Sequence, residues 1–195
     1  MKNILSWEEV YTYLHRHREG YGRTKGDRCR ASKTTDFIKK TLPVGATVLD
    51  LGCGRGGLIR NLLANGYKPL GVEFDPWLIA NDLRRLHARL GDIANLSWAA
   101  DGSFDAAVAQ DSLEHLPSAE VAAHTIAEIA RVARTMILVS VGISDPVHVI
   151  EGVAYHVHPV QQPPEWWYAE VGKYVQEVRK ASWGTSIFAW GVKKS

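Results

Sequence analysis

Along the chain, apolar positions switch repeatedly between a helical spacing and short continuous or alternating runs, as strands separated by helices would require. Ile4, Leu5, Trp7, Val10, Tyr11 and Leu14 fall at helical spacing and predict an amphipathic helix over 4–14. After a basic stretch, Thr34 or Thr35 is placed to cap a helix through Lys40, ended by Pro43 and Gly45. Val48, Leu49 and Leu51 predict a buried strand, and Leu58, Leu62 and Leu63 a helix that stops at Asn65 and Gly66. A second strand is expected over 68–74, and Pro76 then opens a helix at its first position, where a missing N–H costs nothing. A short third strand precedes Gly91, a fourth spans 104–109, an alanine-rich helix 119–133 and a fifth strand 136–141. Next come a loop carrying His156 and His158 and a short helix over 164–171. Strands over 174–178 and 186–192 form an expected antiparallel pair. This order predicts an α/β chain: a largely parallel sheet with helices on both faces, closed by a hairpin.

Composition narrows the class only a little. The 195 residues suffice for one domain with a sizeable core. A net charge of +2 makes no demand for nucleic acid or a membrane surface. Cys29 and Cys53 lie far apart in no metal-ligand spacing, which suits a reducing compartment. Glu8 and Glu9 interrupt any signal-peptide core, and no apolar run is long enough to span a membrane. A cytoplasmic protein is expected. Seven tryptophans are many for this length, and Trp166 and Trp167 could wall a pocket or anchor a helix.

The chemistry concentrates after the first strand. Gly52, Gly54, Gly56 and Gly57 would let backbone approach a ligand closely, with the N–H groups of the next helix beside them. Gly52, Gly54 and Gly57 also satisfy the dinucleotide fingerprint literally, so a nicotinamide oxidoreductase is a competing reading. Asp50 argues against it: a carboxylate inside this strand is costly unless a bound ammonium or water network partners it. Glu73, ending the second strand, is placed to take the hydroxyls of a ribose, and Asp92 to take an adenine amino group with Ile93 packed on the ring.

In their order, Val48 through Gly57, Gly71 through Pro76, Gly91 to Asp92 and Asp101 through Leu116 resemble the class I (Rossmann-like) S-adenosylmethionine-dependent methyltransferases. The resemblance implies a Rossmann-like three-layer sandwich with a mostly parallel seven-stranded sheet closed by a C-terminal hairpin. It implies adenosylmethionine as cofactor, with Asp50, Gly52, Cys53 and Gly54 at its methionine end. Glu73 and Phe74 would lie at the ribose, Asp92 and Ile93 at the adenine, and Gln110 or Asp111 on the sulfonium side. Glu73 stands where aspartate is more usual. Residues 1–45 would form a helical cap or lid, 46–141 the cofactor core and 142–195 the acceptor side of a single domain.

Such an enzyme must align the acceptor with the sulfonium, exclude water and often remove one proton. His115, His156 and His158 are the candidates for that proton, and His148 lies in the same variable region. Asp111, Glu114 and His115 also match the acid-x-x-Glu-His spacing of some Mg²⁺-dependent O-methyltransferases, of the ubiquinone-pathway and small-RNA-end types. His156 or His158 would add a later ligand. Such spacing recurs widely, and a site without metal is preferred. The histidines and tryptophans of 155–167 loosely resemble those of methyltransferases encoded among surface-glycan biosynthesis enzymes.

The expected reaction is methyl transfer to an oxygen of a small molecule or glycan. An RNA methyltransferase is the alternative, resting on the basic residues of 16–33, although no RNA-binding module is recognisable. That basic stretch could also close over the cofactor, with an arginine on its carboxylate. A non-catalytic adenosylmethionine-binding module is the remaining possibility.

Overall fold

The computed structural model describes residues 5–17 and 25–194. Among these, seven strands form one sheet in the order β3-β2-β1-β4-β5-β9-β8. The parallel part comprises β1 (Thr47–Leu51), β2 (Lys68–Glu73), β3 (Ala88–Leu90), β4 (Phe104–Gln110) and β5 (Ala133–Gly142). The antiparallel strands β9 (Ser186–Val192) and β8 (Arg179–Trp183) close it beside β5.

Alternation along the buried strands sends side chains to two faces and makes two cores. Leu49, Leu51, Ala107, Ala109, Ile137 and Val139 pack with α5 (Ala119–Val132) and α6 (Pro164–Gly172). Val48, Ala106, Val108, Met136 and Leu138 pack on the other face, with α2 (Lys25–Lys39) and α3 (Gly57–Ala64). The expected three-layer sandwich is thus present. A short α4 (Pro76–Ala80) follows β2, its N-terminus capped by the Asp75 carboxylate, which accepts from Trp77 N at 2.9 Å.

Three local expectations need correction. The second helix begins at Lys25, about ten residues before the predicted cap. Thr34 and Thr35 are buried inside it; Thr35 satisfies its hydroxyl on Ala31 O one turn back, and Thr34 reaches across to Gln110. The penultimate strand is 179–183, not 174–178: Val175 makes only an isolated bridge to Lys193, and Tyr174 and Val178 pack on the core. The loop after the fifth strand contains a hairpin, β6 (Val147–Ile150) paired with β7 (Val153–His156). Glu151 and Gly152 turn it, both with positive φ, as tight hairpin turns need.

Trp166 and Trp167 both serve the core, so neither walls a pocket. Trp167 is 1% exposed, packs in the core formed on the α5 side, and donates its indole N–H to Gln162 O at 3.2 Å. Trp166 packs against the same cluster, edge-on to Trp167 at 4.8 Å. Trp167→Ala should cost about 3–5 kcal/mol, read as a lowered denaturation midpoint at unchanged m-value.

The first helix, α1 (Trp7–His17), stands apart from both cores. Val10, Tyr11 and Leu14 bury its apolar side against Ile150 and Val157, forming a third cluster with the β6–β7 hairpin.

Candidate active site

A cavity of about 920 Å³ lies at the carboxyl ends of the parallel strands, where the sheet order reverses between β1 and β4. Its first wall is the turn leaving β1. Gly52, Gly54 and Gly56 all have positive φ (73°, 51° and 75°), so the chain can fold back at little steric cost. Val72 O receives the Gly52 and Cys53 amides at 2.9 and 3.0 Å, pinning the turn to β2. A Cβ on Gly52 would stand 2.6 Å from Ser112 Cβ, so the β1 and β4 loops meet there at backbone distance. Gly52→Ala should destabilise the fold by about 1–3 kcal/mol and abolish nucleoside binding, checked by thermal melts and calorimetry.

Asp50 is 2% exposed, lines the cavity, and has one oxygen, Oδ2, with no hydrogen-bond partner among the described residues. Burial, reinforced by the Glu73 carboxylate, pushes its acid up to about 7. A buried acceptor left open toward a cavity marks a place for a donor from a ligand. Glu73, also 2% exposed, accepts from Gly54 N at 2.8 Å and Asp75 N at 3.0 Å, one on each oxygen. A carboxylate oxygen can accept more than one hydrogen bond, and Glu73 lines the cavity. Burial raises the Glu73 acid, and these backbone donors oppose the rise. Burial likewise raises the Cys53 thiol, which lines the same wall.

Phe74, Asp92 and Ile93 also reach the cavity. Asp92 is exposed and accepts from Ala94 N at 2.8 Å, shaping its own turn. Beyond β4, Gln110 Oε1 accepts from Thr34 Oγ1 at 2.9 Å, and Asp111 adopts a positive φ of 49° without being glycine. That strained turn is held by Asp111 N on Ser140 O (2.8 Å), by Ser140 Oγ on Asp111 Oδ1 (2.7 Å) and by an ion pair with Arg30. All ten expected cofactor residues therefore line one cavity.

At the other end lie Glu114, His115 and His158. Glu114 is 1% exposed; its Oε1 accepts from Gly142 N at 2.6 Å, while Oε2 has no partner among the described residues. Burial and then the Asp111 carboxylate raise its acid well above the usual range. His115 Nδ1 lies 2.6 Å from Val157 O, which can only accept and so favours a proton on Nδ1, and the Asp111 backbone also faces the ring. Burial, and then the nearby His158, pull His115 down to about 4, so it is neutral at physiological pH. The His115 and His158 rings meet edge to face at 4.6 Å, and His158 Nδ1 is buried without a partner among the described residues. Burial also lowers His158. Ligand atoms of Glu114, His115 and His158 lie within 4.8 Å of one another.

The third candidate histidine falls elsewhere. His156 does not line the cavity: its side chain is 68% exposed and pairs with Asp145 on the outer side of the hairpin. Residues two apart would share a face if the strand continued; β7 ends at His156, and the chain beyond it departs from the strand so that His158 lines the cavity. His148, on the inward face of β6, takes a place at the cavity instead.

Several lining groups come from segments that local patterns did not assign to the site: Tyr11 and His15 of α1, and Thr185 and Ser186 at the start of β9. A tyrosine and a histidine one turn apart on an otherwise apolar helix face were the available signal for α1. Of the basic stretch, Arg16 is exposed, Arg28 and Arg30 reach the cavity, and Arg18 and Arg23 lie outside the described residues.

This sheet order, with a nucleoside-sized cavity beside a glycine turn and an acid ending β2, defines the class I Rossmann-like fold of S-adenosylmethionine-dependent methyltransferases. Residues 21–181 match the family model described as a methyltransferase domain, and the chain belongs to that family. It is 33% identical over 84 residues to a ubiquinone biosynthesis O-methyltransferase of Xanthomonas axonopodis, covering 38% of this chain and 34% of that protein. The match thus spans about a third of that relative's length. The magnesium protoporphyrin IX methyltransferase of Synechocystis, solved with adenosylmethionine bound, superposes with a TM-score of 0.69 at 18% identity, covering 100% of both chains. The 1,6-didemethyltoxoflavin-N1-methyltransferase of Burkholderia thailandensis superposes at 0.68 and 15% identity, covering 100% of this chain and 94% of that one. Among the described residues, no helix is long and apolar enough to cross a membrane.

Proposed function

We propose that this protein transfers a methyl group from adenosylmethionine to a hydroxyl oxygen of a small polar molecule. The carrying observation is that one cavity holds unpartnered buried lone pairs at both ends: Asp50 Oδ2 in one half, Glu114 Oε2 and His158 Nδ1 in the other. When bound, adenosylmethionine supplies an electrophilic methyl on a sulfonium. Asp50 takes the cofactor's ammonium, Glu73 its ribose hydroxyls, and Asp92 with Ile93 its adenine. Gln110 and Asp111 flank the sulfonium side. His158 accepts the acceptor's hydroxyl proton, protonated Glu114 donates a hydrogen bond to the hydroxyl oxygen, and His115 packs beside them. The cap formed by α1 and the hairpin excludes water.

Ser144, Thr185, Ser186 and His148 give the acceptor half a polar lining, which fits a hydroxylated molecule. A glycan would gain most from an aromatic wall, but Trp166 and Trp167 are committed to the core. Calorimetry with adenosylhomocysteine and with NAD tests the cofactor, and labelled adenosylmethionine with a panel of small phenols, sugars and RNA tests the acceptor. Binding of NAD alone, or methylation confined to RNA, would overturn the reading.

A second reading has its own observation. Glu114, His115 and His158 present their ligand atoms in one cluster, two of those groups carry unpartnered atoms, and imidazole with carboxylate suits a divalent cation. These three residues would hold it, and it would supply a Lewis acid for the acceptor oxygen. Titrating Mg²⁺, Mn²⁺ or Zn²⁺ into the wild type and Glu114→Gln in a calorimeter decides this without an acceptor. Binding lost in the variant favours the metal; no binding in the wild type removes it.

A further inference from the structure

Helix α1 touches both halves of the cavity through one face. His15, in its last turn, lies 2.9 Å from Asp75 Oδ2, and Asp75 is fully buried directly after the strand that ends in Glu73. The backbone carbonyl of His15 also accepts from Arg55 of the glycine turn, and Arg55 in turn pairs with Asp82. The end of α1 is thereby fastened to both loops that frame the cofactor half. Four residues earlier, on the same helix face, Tyr11 donates its hydroxyl to Val157 O at 2.7 Å and contacts His115 Nδ1. Val157 O also contacts His115 Nδ1 at 2.6 Å, and the next residue is His158. Tyr11 therefore sits where both acceptor-side histidines are held. Its ring also meets Phe74, at the other end of the cofactor contacts, edge-on at 6.0 Å.

We propose that Tyr11 is a positioning residue for His115 and that α1 conveys cofactor occupancy to it, so that the acceptor site is fully ordered only after the cofactor binds. The inference rests on the adenosylmethionine reading above. Helix α1 buries its apolar side on the β6–β7 hairpin rather than on the central sheet, so helix and hairpin can settle onto the cavity together. Cofactor contacts that fix the glycine turn and the segment after β2 also fix the anchors of His15. A helix so anchored presses the Tyr11 hydroxyl onto Val157 and restricts the His115 ring. By linkage, acceptor bound against His115 must in turn tighten the cofactor.

The test uses the full chain with ¹⁵N-labelled histidine, followed by imidazole ¹H–¹⁵N spectra and solvent exchange, with and without adenosylhomocysteine. In the wild type, ligand should slow solvent exchange of the His115 ring N–H proton about tenfold. Tyr11→Phe keeps the ring and should bind the ligand within about threefold of wild type, yet lose the slowing. His15→Ala should also lose it, with weaker ligand binding. Once an acceptor is known, Tyr11→Phe should lower kcat, per site titrated with adenosylhomocysteine, roughly tenfold to a hundredfold at nearly unchanged KM for adenosylmethionine; counting titrated sites removes any loss of folded protein from the comparison. Ligand binding without any change at His115, or equal slowing in wild type and Tyr11→Phe, overturns the coupling alone. No ligand binding to the folded wild type overturns the cofactor reading and the coupling together.

Discussion

His158→Ala is expected to lower kcat by about 10²–10⁴-fold, while His156→Ala leaves it unchanged within about twofold. The two histidines are separated by one residue, and nothing in their type distinguishes them. Their surroundings do. His158 is 9% exposed, and its Nδ1 is buried without a partner among the described residues, beside Glu114 in the acceptor half. His156 is mostly exposed and spends its Nδ1 on Asp145 outside the cavity. Single-turnover rates with labelled adenosylmethionine give the comparison. Equal losses in the two variants would remove His158 as the base. An adenosylhomocysteine affinity retained in His158→Ala would place the defect in the acceptor half.

Asp50→Asn should weaken adenosylhomocysteine binding by roughly 10–100-fold, the value of a hydrogen bond between charged groups in a buried site. It should also change how both binding and stability respond to pH. The acid of Asp50 lies at about 7 in the folded, ligand-free chain, raised by burial and by Glu73 from an ordinary value near 4. A raised acid favours the folded state while it is protonated in both states. That contribution is complete below about pH 4 and is lost as pH rises through about 7, up to about 4 kcal/mol in all. Unfolding of the ligand-free wild type should therefore become easier between pH 5 and 8, and Asp50→Asn should flatten this trend. Ligand binding runs the other way. An ammonium needs the ionised carboxylate, so affinity in the wild type should fall by up to about tenfold per pH unit below 7 and be nearly flat in the variant. Denaturation midpoints and calorimetry at several pH values measure both. A pH-independent wild-type affinity between 5 and 7 would sink the role given to Asp50.

Much of the fold could be read from the chain because its central strands are buried on both faces. Short apolar runs such as 48–51 and 104–109, each interrupted by a single aspartate and bounded by Gly52 or Gly102, leave little ambiguity about what they form. The cofactor half was legible for a related reason. Glycines and acids at strand ends are local features, and a parallel sheet brings all strand ends to one edge. Errors arose where local pattern gives no ranking. The early start of α2 depends on packing against α3 and the sheet, which no cap residue announces. The penultimate strand shifted because Tyr174 and Val178 found the core as loop residues, while the more polar 179–183 segment satisfied its backbone on β9.

The sequence alone determined that the chain alternates strands and helices around a glycine turn, with Asp50, Glu73 and Asp92 at or near the ends of successive strands. Those properties follow from residues close together in the chain. Tertiary structure alone decided which histidines share the acceptor half, that both tryptophans of 166–167 belong to the core, and that α1 reaches across to His115. These depend on contacts between residues far apart in the chain, from His115 with Val157, 42 positions apart, to Tyr11 with Val157, 146 apart. Such pairs are selected by the packing of whole elements, and no periodicity within either segment records the partner.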